Sequence, residues 1–491
     1  MADGRGPTAS IETADSFETA VVPGAETGAG GLPTPRRYWA VVAIWLAMAM
    51  SVLDSSIANI ALPTIARDLG ASAASSIWVV NAYQIAITSS LLPIAMLGDI
   101  VGHRRIYMVG LSVFAVASIG CVLSQSLGDI AMARFVQGFG AAGVMAINGA
   151  LVRFTYPRSM LGRGIGYNAL VVAVSSAAGP SIAAAILSVA SWRWLFAVNV
   201  PLGLLSLVIG YRCLPITPRS GNRFDIWSAL LNATTFGAVF LAASDVAHST
   251  LSLLTALEVA VAVAAGVLLV RRSRGQVAPM VPLDLLRLPI LRLSYATSSL
   301  SFAAMMMAGV SLPFILQARF GFDRVETGLL MTPLPLGVAV AAPIAGRLVE
   351  RFPAGLLGGI GLGLLALSLA GLGLLQPGSG APMLVALTAL GGIGFGLFQT
   401  PNNRTMLGLA PPERSGAAAG MLATARLAGQ TAGALMVALL FHRAGPASIV
   451  PLWSAAAIAL AAAAVSMGRL RHRPSLPGRS APGTGQGFTN R

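Results

Sequence analysis

Apolar stretches long enough to cross a lipid bilayer recur along this chain from residue 38 onward, separated by short loops of charged residues, glycine and proline. A helix that spans a bilayer needs about 20 consecutive apolar residues. Counted at that length, the pattern predicts fourteen spans, at 38–60, 76–97, 106–125, 130–152, 163–189, 194–214, 224–243, 251–270, 291–316, 327–347, 355–376, 382–402, 415–441 and 449–468. The predicted fold class is therefore an all-α integral membrane protein.

The composition excludes a soluble globular protein. Hydrophobic residues make up 55% of the 491 residues and charged residues 10%, and the mean hydropathy is +0.77, which is typical of a polytopic membrane protein. The chain has no lysine, so its net charge of +15 comes from arginine. These arginines recur in short loops instead of forming one basic patch, which argues against a nucleic-acid partner and indicates contact with a lipid bilayer.

The sidedness of the arginines tests the number of spans. With the first tail inside, 25 arginines fall in inner loops and tails and five in outer loops. Cytoplasmic loops of membrane proteins carry the excess of basic residues. The bias therefore predicts a protein of the cell membrane with both termini in the cytoplasm. Twelve spans would give the same sidedness, so the count of fourteen depends on the apolar pair 224–243 and 251–270.

Composition divides the chain into five segments. The first tail is rich in glycine, alanine, proline and threonine and lacks the apolar core of a signal peptide, so disorder is expected. Pro279, Pro282 and Pro289 mark a linker between two halves that look like a tandem repeat. The predicted segments are a disordered cytoplasmic tail (1–37), a six-helix bundle (38–214), a linker with two extra spans (215–290), a second six-helix bundle (291–468) and a disordered basic cytoplasmic tail (469–491).

The turn at residues 98–105, between the second and third predicted spans, is rich in glycine and charge. Gly102 allows a tight turn, and Asp99 can accept hydrogen bonds from a basic side chain or a helix N-terminus. Arg104 and Arg105 hold the loop on the cytoplasmic side. This turn resembles the gating loop between helices 2 and 3 of major facilitator superfamily transporters. The alternative is a charged turn at the membrane boundary.

Three further motifs carry the same resemblance. Residues 53–63 resemble the L-D-x-T-I-V-N-V-A-L-P signature of the fourteen-helix drug:proton antiporter family, with small departures. Residues 130–142 match its R-x-x-Q-G-x-G-A-A pattern, and residues 192–203 resemble its W-R-W-x-F-x-x-N-x-P-x-G pattern. A weaker similarity continues at residues 426–433. The motifs occur in the order of that family and together resemble it closely.

This resemblance implies the major facilitator fold, in which two six-helix bundles surround a cavity near the membrane midplane. It also implies multidrug efflux by proton-coupled antiport, with protons and small molecules as partners, no cofactor and a monomeric state. An exporter of a single metabolite, such as a self-made antibiotic, is the alternative with the same mechanism. A membrane enzyme is disfavoured because the four histidines are scattered in loops and tails without metal-ligand spacing.

Asp54 and Arg134 are the candidate proton-coupling residues. A carboxylate near the membrane midplane costs about 2.5–3.5 kcal/mol on insertion scales, so Asp54 is expected to meet water, an arginine or a proton. If its surroundings wet and dry alternately, the carboxyl group releases and takes up a proton in turn. The resemblance gives Arg134, which stays charged, a coupling role. The alternatives are a hydrogen bond at a helix kink for Asp54 and a structural tie between helices for Arg134.

Gly179 and Pro180 in the fifth predicted span resemble the centre of the family's G-x-x-x-G-P-x-x-G-G antiporter motif. Proline removes a backbone hydrogen bond and kinks a helix, and small neighbours let another helix approach. The pair favours antiport, with a packing kink as the alternative. A G-x-G-x-x-G string at Gly138, Gly140 and Gly143 lies inside an apolar span, so close helix packing explains it better than nucleotide binding.

Polar and aromatic residues within the spans are the candidates to line a substrate cavity. The second half has no acidic residue deep in its spans, which favours neutral or monocationic substrates. Methionines there can form an adaptable apolar wall, although methionines of membrane helices more often face lipid or fill the core. The predicted cavity residues are Asn59, Trp78, Tyr83, Gln84, Gln137, Phe302, Met306, Gln399 and Arg426. No metal site is predicted.

Overall fold

The computed structural model describes residues 31–220, 224–247, 253–274, 286–409 and 415–471. Most of both predicted tails, and the linker prolines Pro279 and Pro282, lie outside these residues. The regular elements of the described part are helical. They are α1 (Arg36–Asp68), α2 (Ala73–Ser76), α3 (Trp78–Val101), α4 (His103–Leu123), α5 (Leu127–Thr155), α6 (Leu161–Val189), α7 (Arg193–Ala197), α8 (Asn199–Cys213), α9 (Ile226–Ala247), α10 (Leu253–Arg274), α11 (Pro289–Ala318), α12 (Arg324–Met331), α13 (Pro333–Leu348), α14 (Ala354–Leu374), α15 (Ala381–Gly408), α16 (Ser415–Ala444) and α17 (Val450–Gly468).

Thirteen helical segments of the described residues are long and apolar enough to cross a bilayer, so the protein is a multi-pass membrane protein. The seventh predicted span corresponds to α9, whose apolar stretch Ile226–Ala242 is shorter than the other thirteen segments. Three segments are interrupted, because α2 and α3 meet at Ile77, α7 and α8 meet at Val198, and α12 and α13 meet at Thr332. Pro201 and Pro333 account for the second and third breaks, since proline cannot donate the backbone hydrogen bond that would continue the preceding helix.

The two halves of the chain repeat the same helix packing. In the first half, α1 packs against α6 and α8, while α3 and α4 both pack against α5. In the second half, α11 packs against α16 and α17, while α13 and α14 both pack against α15. The result is two six-helix bundles. The helices α9 and α10 form a separate pair, in which α9 also contacts α3 of the first bundle and α16 of the second.

Glycines allow helices to approach closely within each bundle. A Cβ atom on Gly140 of α5 would lie 2.7 Å from the Gly110 carbonyl oxygen of α4. In the second bundle, a Cβ atom on Gly394 of α15 would lie 2.5 Å from the Gly361 carbonyl oxygen of α14. Both distances are shorter than van der Waals contact, so a larger residue would push the helices apart. The glycine string of α5 is therefore a packing surface, as predicted.

Polar side chains join the two bundles near one face of the molecule. The terminal face is where α1 begins and α17 ends, and the distal face is where α1 ends. Near the distal face, Arg67 of α1 donates a hydrogen bond to Gln317 of α11 at 2.9 Å, and the hydroxyl oxygens of Ser181 in α6 and Thr332 in α12 are 2.9 Å apart. A central space reaches from these contacts toward the terminal face as far as Asn403 of α15.

Candidate functional site

A buried polar cluster lies inside the first bundle, where α1, α5 and α8 meet. The Asp54 carboxylate forms an ion pair with the Arg134 guanidinium, and both side chains are only 1% exposed. Asn199 Nδ2 donates a hydrogen bond to Asp54 Oδ1 at 2.7 Å, and Gln137 Nε2 donates to the same oxygen at 3.2 Å. One charged and two neutral donors therefore compensate the Asp54 carboxylate in a site closed to water.

Arg134 is held in one orientation by contacts on several sides. Its Nη1 atom also donates to Gln137 Oε1, and its Nε atom donates to the carbonyl oxygen of Val79 at 3.1 Å. The guanidinium carbon lies 4.1 Å from the centroid of the Tyr83 ring and 5.5 Å from that of Phe196. A lysine could supply the charge but not this combination of forked donors and a flat stacking surface.

Two members of this cluster were not predicted as site residues. Ser118 Oγ accepts a hydrogen bond from Gln137 Nε2 at 2.8 Å. Asn199 lies at the first position of α8, within the 192–203 motif. Its occurrence as a polar residue inside an apolar span was the sequence signal that could have identified it as a site residue. The same motif is anchored to the end of α1, because Trp192 Nε1 donates to Asp68 Oδ2 at 2.8 Å.

The glycine-rich turn between α3 and α4 is tied to the segment that follows α8. Gly102 has a φ of 107°, a conformation that a residue with a side chain rarely adopts. Asp99 Oδ1 lies 3.1 Å from His103 Nε2, and the Asp99 carbonyl oxygen accepts a hydrogen bond from Ser220 N at 2.7 Å. His103 N donates to Thr217 Oγ1 at 2.9 Å. The turn is thereby connected to the chain that leads into α9.

The two arginines of this turn have other roles. Arg104 donates a hydrogen bond to the Tyr211 carbonyl oxygen of α8, and Arg105 is exposed. The basic side chain next to Asp99 is therefore a histidine. The sequence pattern identified the turn but not this partner, because the partner depends on how α4 begins after Gly102.

The Gly179 and Pro180 pair lies in α6, which continues as one helix through the proline. A Cβ atom on Gly179 would lie 2.5 Å from Ser56 Oγ of α1. On the other side, a Cβ atom on Gly328 of α12 would lie 2.8 Å from the Pro180 carbonyl oxygen. The pair therefore brings α6 close both to the segment of α1 that carries the ion pair and to the second bundle.

A cavity of about 570 Å³ lies between the two bundles. Aromatic and sulfur-containing side chains form much of its apolar wall, with the rings of Phe302 and Phe395 packed edge to face at 5.1 Å between centroids. Seven of the predicted cavity residues line it, namely Asn59, Tyr83, Gln84, Phe302, Met306, Gln399 and Arg426. Polar lining residues that were not predicted are Ser51, Ser55, Ser56, Ser176, Thr388, Thr400, Asn403 and Gln430.

Two of the predicted cavity residues lie elsewhere. The Trp78 ring packs edge to face against Phe240 of α9 at 4.8 Å between centroids, because α9 covers this side of α3. Gln137 belongs to the buried cluster of the first bundle, since its face of α5 is turned toward α1. Among the described residues, no group of three or more His, Cys, Asp or Glu side chains lies close enough to hold a metal ion.

Tyr83 separates the buried cluster from the cavity. It lines the cavity, and its ring also covers the Arg134 guanidinium. The two members of the ion pair do not themselves belong to the cavity wall. The molecule therefore holds a wide, mixed apolar and polar chamber next to a sealed charge pair, with one aromatic side chain in contact with both.

Comparison with known proteins agrees with this architecture. The sequence profile of the Major Facilitator Superfamily matches residues 44–270 and 294–490. The transporter YebQ of Escherichia coli (strain K12), whose name describes it as uncharacterised, is 52% identical over 89% of this chain and 96% of its own length. The riboflavin transporter RibZ of Clostridioides difficile (strain 630) is 30% identical over 80% of this chain and 85% of its own.

A further relative and a solved structure extend the comparison. The tetracenomycin C resistance and export protein of Streptomyces glaucescens is 33% identical over 85% of this chain and 78% of its own length. A crystal structure of a POT family transporter in complex with a thioalcohol-conjugated peptide matches with a TM-score of 0.68 at 15% identity, over 88% of this chain and 95% of that one. At that identity the likeness concerns the fold alone. With both bundles inside the matched profile, the chain belongs to the major facilitator superfamily of membrane transporters.

Proposed function

We propose that the protein exports hydrophobic small molecules from the cytoplasm in exchange for protons, by exposing the central cavity alternately to the two sides of the membrane. The name of the relative from Streptomyces glaucescens, a resistance and export protein, supports export as the direction of transport. The mixed apolar and polar wall of the cavity supports amphipathic substrates, because such walls bind organic molecules with few directional constraints.

The proposed orientation puts both termini in the cytoplasm. Most of the described arginines outside the membrane spans lie in segments at the terminal face, and five lie in distal loops, namely Arg67, Arg193, Arg319, Arg324 and Arg443. Because cytoplasmic loops carry the excess of arginine, we assign the terminal face to the cytoplasm. The central space, which extends toward this face as far as Asn403, then lies on the cytoplasmic side of the contacts near the distal face.

The observation that carries the proposal is the sealed ion pair of Asp54 and Arg134 beside the cavity. Protonation of Asp54 removes the negative charge that holds Arg134. It also reduces the capacity of the Asp54 carboxyl group to accept the hydrogen bond from Asn199. Because α1, α5 and α8 all contribute to this cluster, a loss of the ion pair loosens the packing of three helices at once. In the proposed cycle, a proton from outside enters this site as substrate leaves, and its release to the cytoplasm restores the pair.

The membrane potential supplies useful work in such a cycle. Each proton that moves inward contributes about 2.3 kcal/mol per 100 mV. That energy sustains a substrate gradient of roughly 50-fold, since about 1.4 kcal/mol corresponds to a factor of ten. Proton exchange is therefore sufficient in size to drive export against a concentration difference.

The direct test is uptake of lipophilic dyes into inverted membrane vesicles, with and without a protonophore. We expect Asp54→Asn to fold and to lose uphill transport, because the amide keeps the size of the carboxyl group but cannot cycle a proton. Glu258→Gln, a carboxylate in α10 outside the cluster, is the matched control and keeps transport. If Asp54→Asn transports dye at the wild-type rate and the protonophore abolishes that transport, the coupling role of Asp54 is refuted. If only one compound of a panel of lipophilic dyes is transported, an exporter of one metabolite is favoured.

Substitutions of Arg134 distinguish a role in proton coupling from a role in helix packing. Arg134→Lys keeps the charge and should retain part of the transport, whereas Arg134→Ala should retain almost none. The amount of each variant in the membrane is measured alongside. Full transport by both variants would contradict the proposed role, and loss of the protein from the membrane would assign Arg134 to folding instead.

A further inference from the structure

Arg426 brings a positive charge into the wall of the central cavity. It lies on α16, and its guanidinium carbon is 5.6 Å from the centroid of the Phe302 ring. Arginine stays protonated in proteins. A charged side chain inside a membrane protein is costly unless a partner compensates it, and it commonly marks the path of a substrate or ion. An anionic partner is therefore expected for this guanidinium.

The described residues do not supply that partner. Those that line the cavity include no aspartate or glutamate. The ion pairs found within the described ranges join carboxylates to His103, Arg134, Arg193 and Arg272. The face of the Phe302 ring attracts a cation, but more weakly than a carboxylate does. The positive charge in the cavity wall is thus left for a molecule that enters the cavity.

The buried carboxylate of the first bundle is already engaged. Asp54 accepts hydrogen bonds from Arg134, Asn199 and Gln137, and Tyr83 lies between this cluster and the cavity. A second arginine could reach Asp54 only if these donors and the tyrosine moved aside. Arg426 and the ion pair are therefore two separate charged sites with separate partners.

The rest of the cavity wall fits an amphipathic organic molecule. Phe302 and Phe395 form an aromatic surface, and Met305 and Met306 add flexible apolar surface on α11. The volume of about 570 Å³ is within the range of pockets that hold organic ligands, roughly 300–1,000 Å³. The cavity thus combines a large apolar body with one positive anchoring point.

We propose that Arg426 binds the anionic group of the exported substrate, so that preferred substrates are amphipathic monoanions with a carboxylate or similar acidic group on an apolar body. The planar guanidinium binds a carboxylate through two parallel hydrogen bonds. A cation in the same cavity is repelled, because charges interact strongly where water is scarce. The inference rests on the proposed export function and replaces the monocations favoured by the sequence with anions.

The test is equilibrium binding of three fluorescent probes of similar size to the full-length protein in lipid nanodiscs. The probes are coumarin-3-carboxylate, coumarin-3-carboxamide and a coumarin that carries a trimethylammonium group at position 3. We expect the wild-type protein to bind the carboxylate roughly 10- to 100-fold more tightly than the amide, as hydrogen bonds to a charged group provide. The cation should bind more weakly than the amide.

Two substitutions assign this preference to Arg426. Arg426→Gln should lower the affinity for the carboxylate to within about threefold of the affinity for the amide, which itself changes little. Arg426→Lys should keep part of the preference, because the charge remains while the planar fork is lost. Arg404→Gln, an exposed arginine of α15, is the matched control and should bind all three probes like the wild type.

Several outcomes would overturn the proposal. They are equal affinities of the wild type for the three probes, tighter binding of the cation, no saturable binding of the carboxylate at millimolar concentration, and a carboxylate preference that survives Arg426→Gln. Proton-driven uptake is measured separately on the same protein. A carboxylate preference without proton-driven transport would overturn the proposed function and support the anion site, whereas proton-driven transport without the preference would overturn the anion site alone.

Discussion

Removal of Arg134 tests how much of the protein's stability depends on charge compensation between Asp54 and Arg134. Arg134→Ala leaves the carboxylate of Asp54, which is 1% exposed, without its cation. Loss of one partner of a buried ion pair costs about 3–5 kcal/mol of unfolding free energy, because the remaining charge is buried and uncompensated. The two amide donors that stay beside Asp54 are neutral and offset only part of that cost.

Neutralising Asp54 in the same protein should relieve most of this penalty. Asp54→Asn removes the charge and keeps the size of the side chain. In the double variant, the remaining losses include the hydrogen bond from Arg134 to Val79 at 3.1 Å, which contributes about 0.5–1.5 kcal/mol, and the contact with the Tyr83 ring. We therefore expect a coupling energy between the two substitutions of about 2 kcal/mol or more.

Thermal unfolding in detergent, followed with a thiol-reactive dye, measures this difference. All four proteins carry Cys213→Ser, because the Cys213 thiol is only half-buried. Cys121 is completely buried, so its thiol then reacts as the first bundle opens. The wild type, the two single variants and the double variant are compared under identical conditions. Arg105→Ala is the control, because an exposed arginine should change the unfolding free energy by less than about 0.5 kcal/mol.

The expected order has the double variant unfolding at a higher temperature than Arg134→Ala. A double variant as unstable as Arg134→Ala would refute the reasoning, because the cost of losing Arg134 would then come from packing and not from an uncompensated charge. An Arg134→Ala protein as stable as the wild type would refute it as well, since Asp54 would then have another way to be compensated.

Three further predictions concern topology, packing and the buried cluster. Reporter domains fused after Arg219 should be cytoplasmic and those fused at His248 extracytoplasmic; a cytoplasmic His248 fusion would reduce the number of spans to twelve. Gly429→Ala should lower the unfolding free energy by about 1–3 kcal/mol, because the Cβ atom of the new alanine would overlap the backbone of α11. The control in thermal unfolding is Gly149→Ala, which should be neutral or slightly stabilising because Gly149 has open space around it. Asn199→Leu should cost about 1–3 kcal/mol and slow transport, and unchanged values of both would contradict the role of this amide.

Much of the fold could be predicted because apolar runs of membrane length are visible without knowledge of their partners. The ends of the helices were less accessible. α1 runs from Arg36 to Asp68, beyond the predicted span 38–60. Its polar last residues are stabilised by partners far along the chain, since Arg67 contacts Gln317 and Asp68 contacts Trp192. Such contacts extend a helix past its apolar run, and hydropathy alone does not contain them.

The candidate site, like the fold, could be predicted only in part from the sequence. Asp54 and Arg134 stood out as charged residues inside apolar spans, and the structure pairs them. The location of an uncharged or aromatic side chain, in the cavity wall or elsewhere, was harder to predict. Trp78 and Gln137 both lie on helices with cavity-lining neighbours, but α9 covers the first and α1 faces the second. Which side of a helix meets the cavity is decided by the docking of whole helices, and a single sequence does not show it.

Tyr83 is the side chain that both the cavity and the buried ion pair contact, and this arrangement has a consequence for protein engineering. Positions such as Phe302, Met305 and Gln399 line the cavity without belonging to the charge cluster. A combinatorial library at these positions can therefore vary the cargo while every member retains the same proposed energy source. Directed evolution of an exporter for a chosen fermentation product would begin there and leave the tyrosine unchanged.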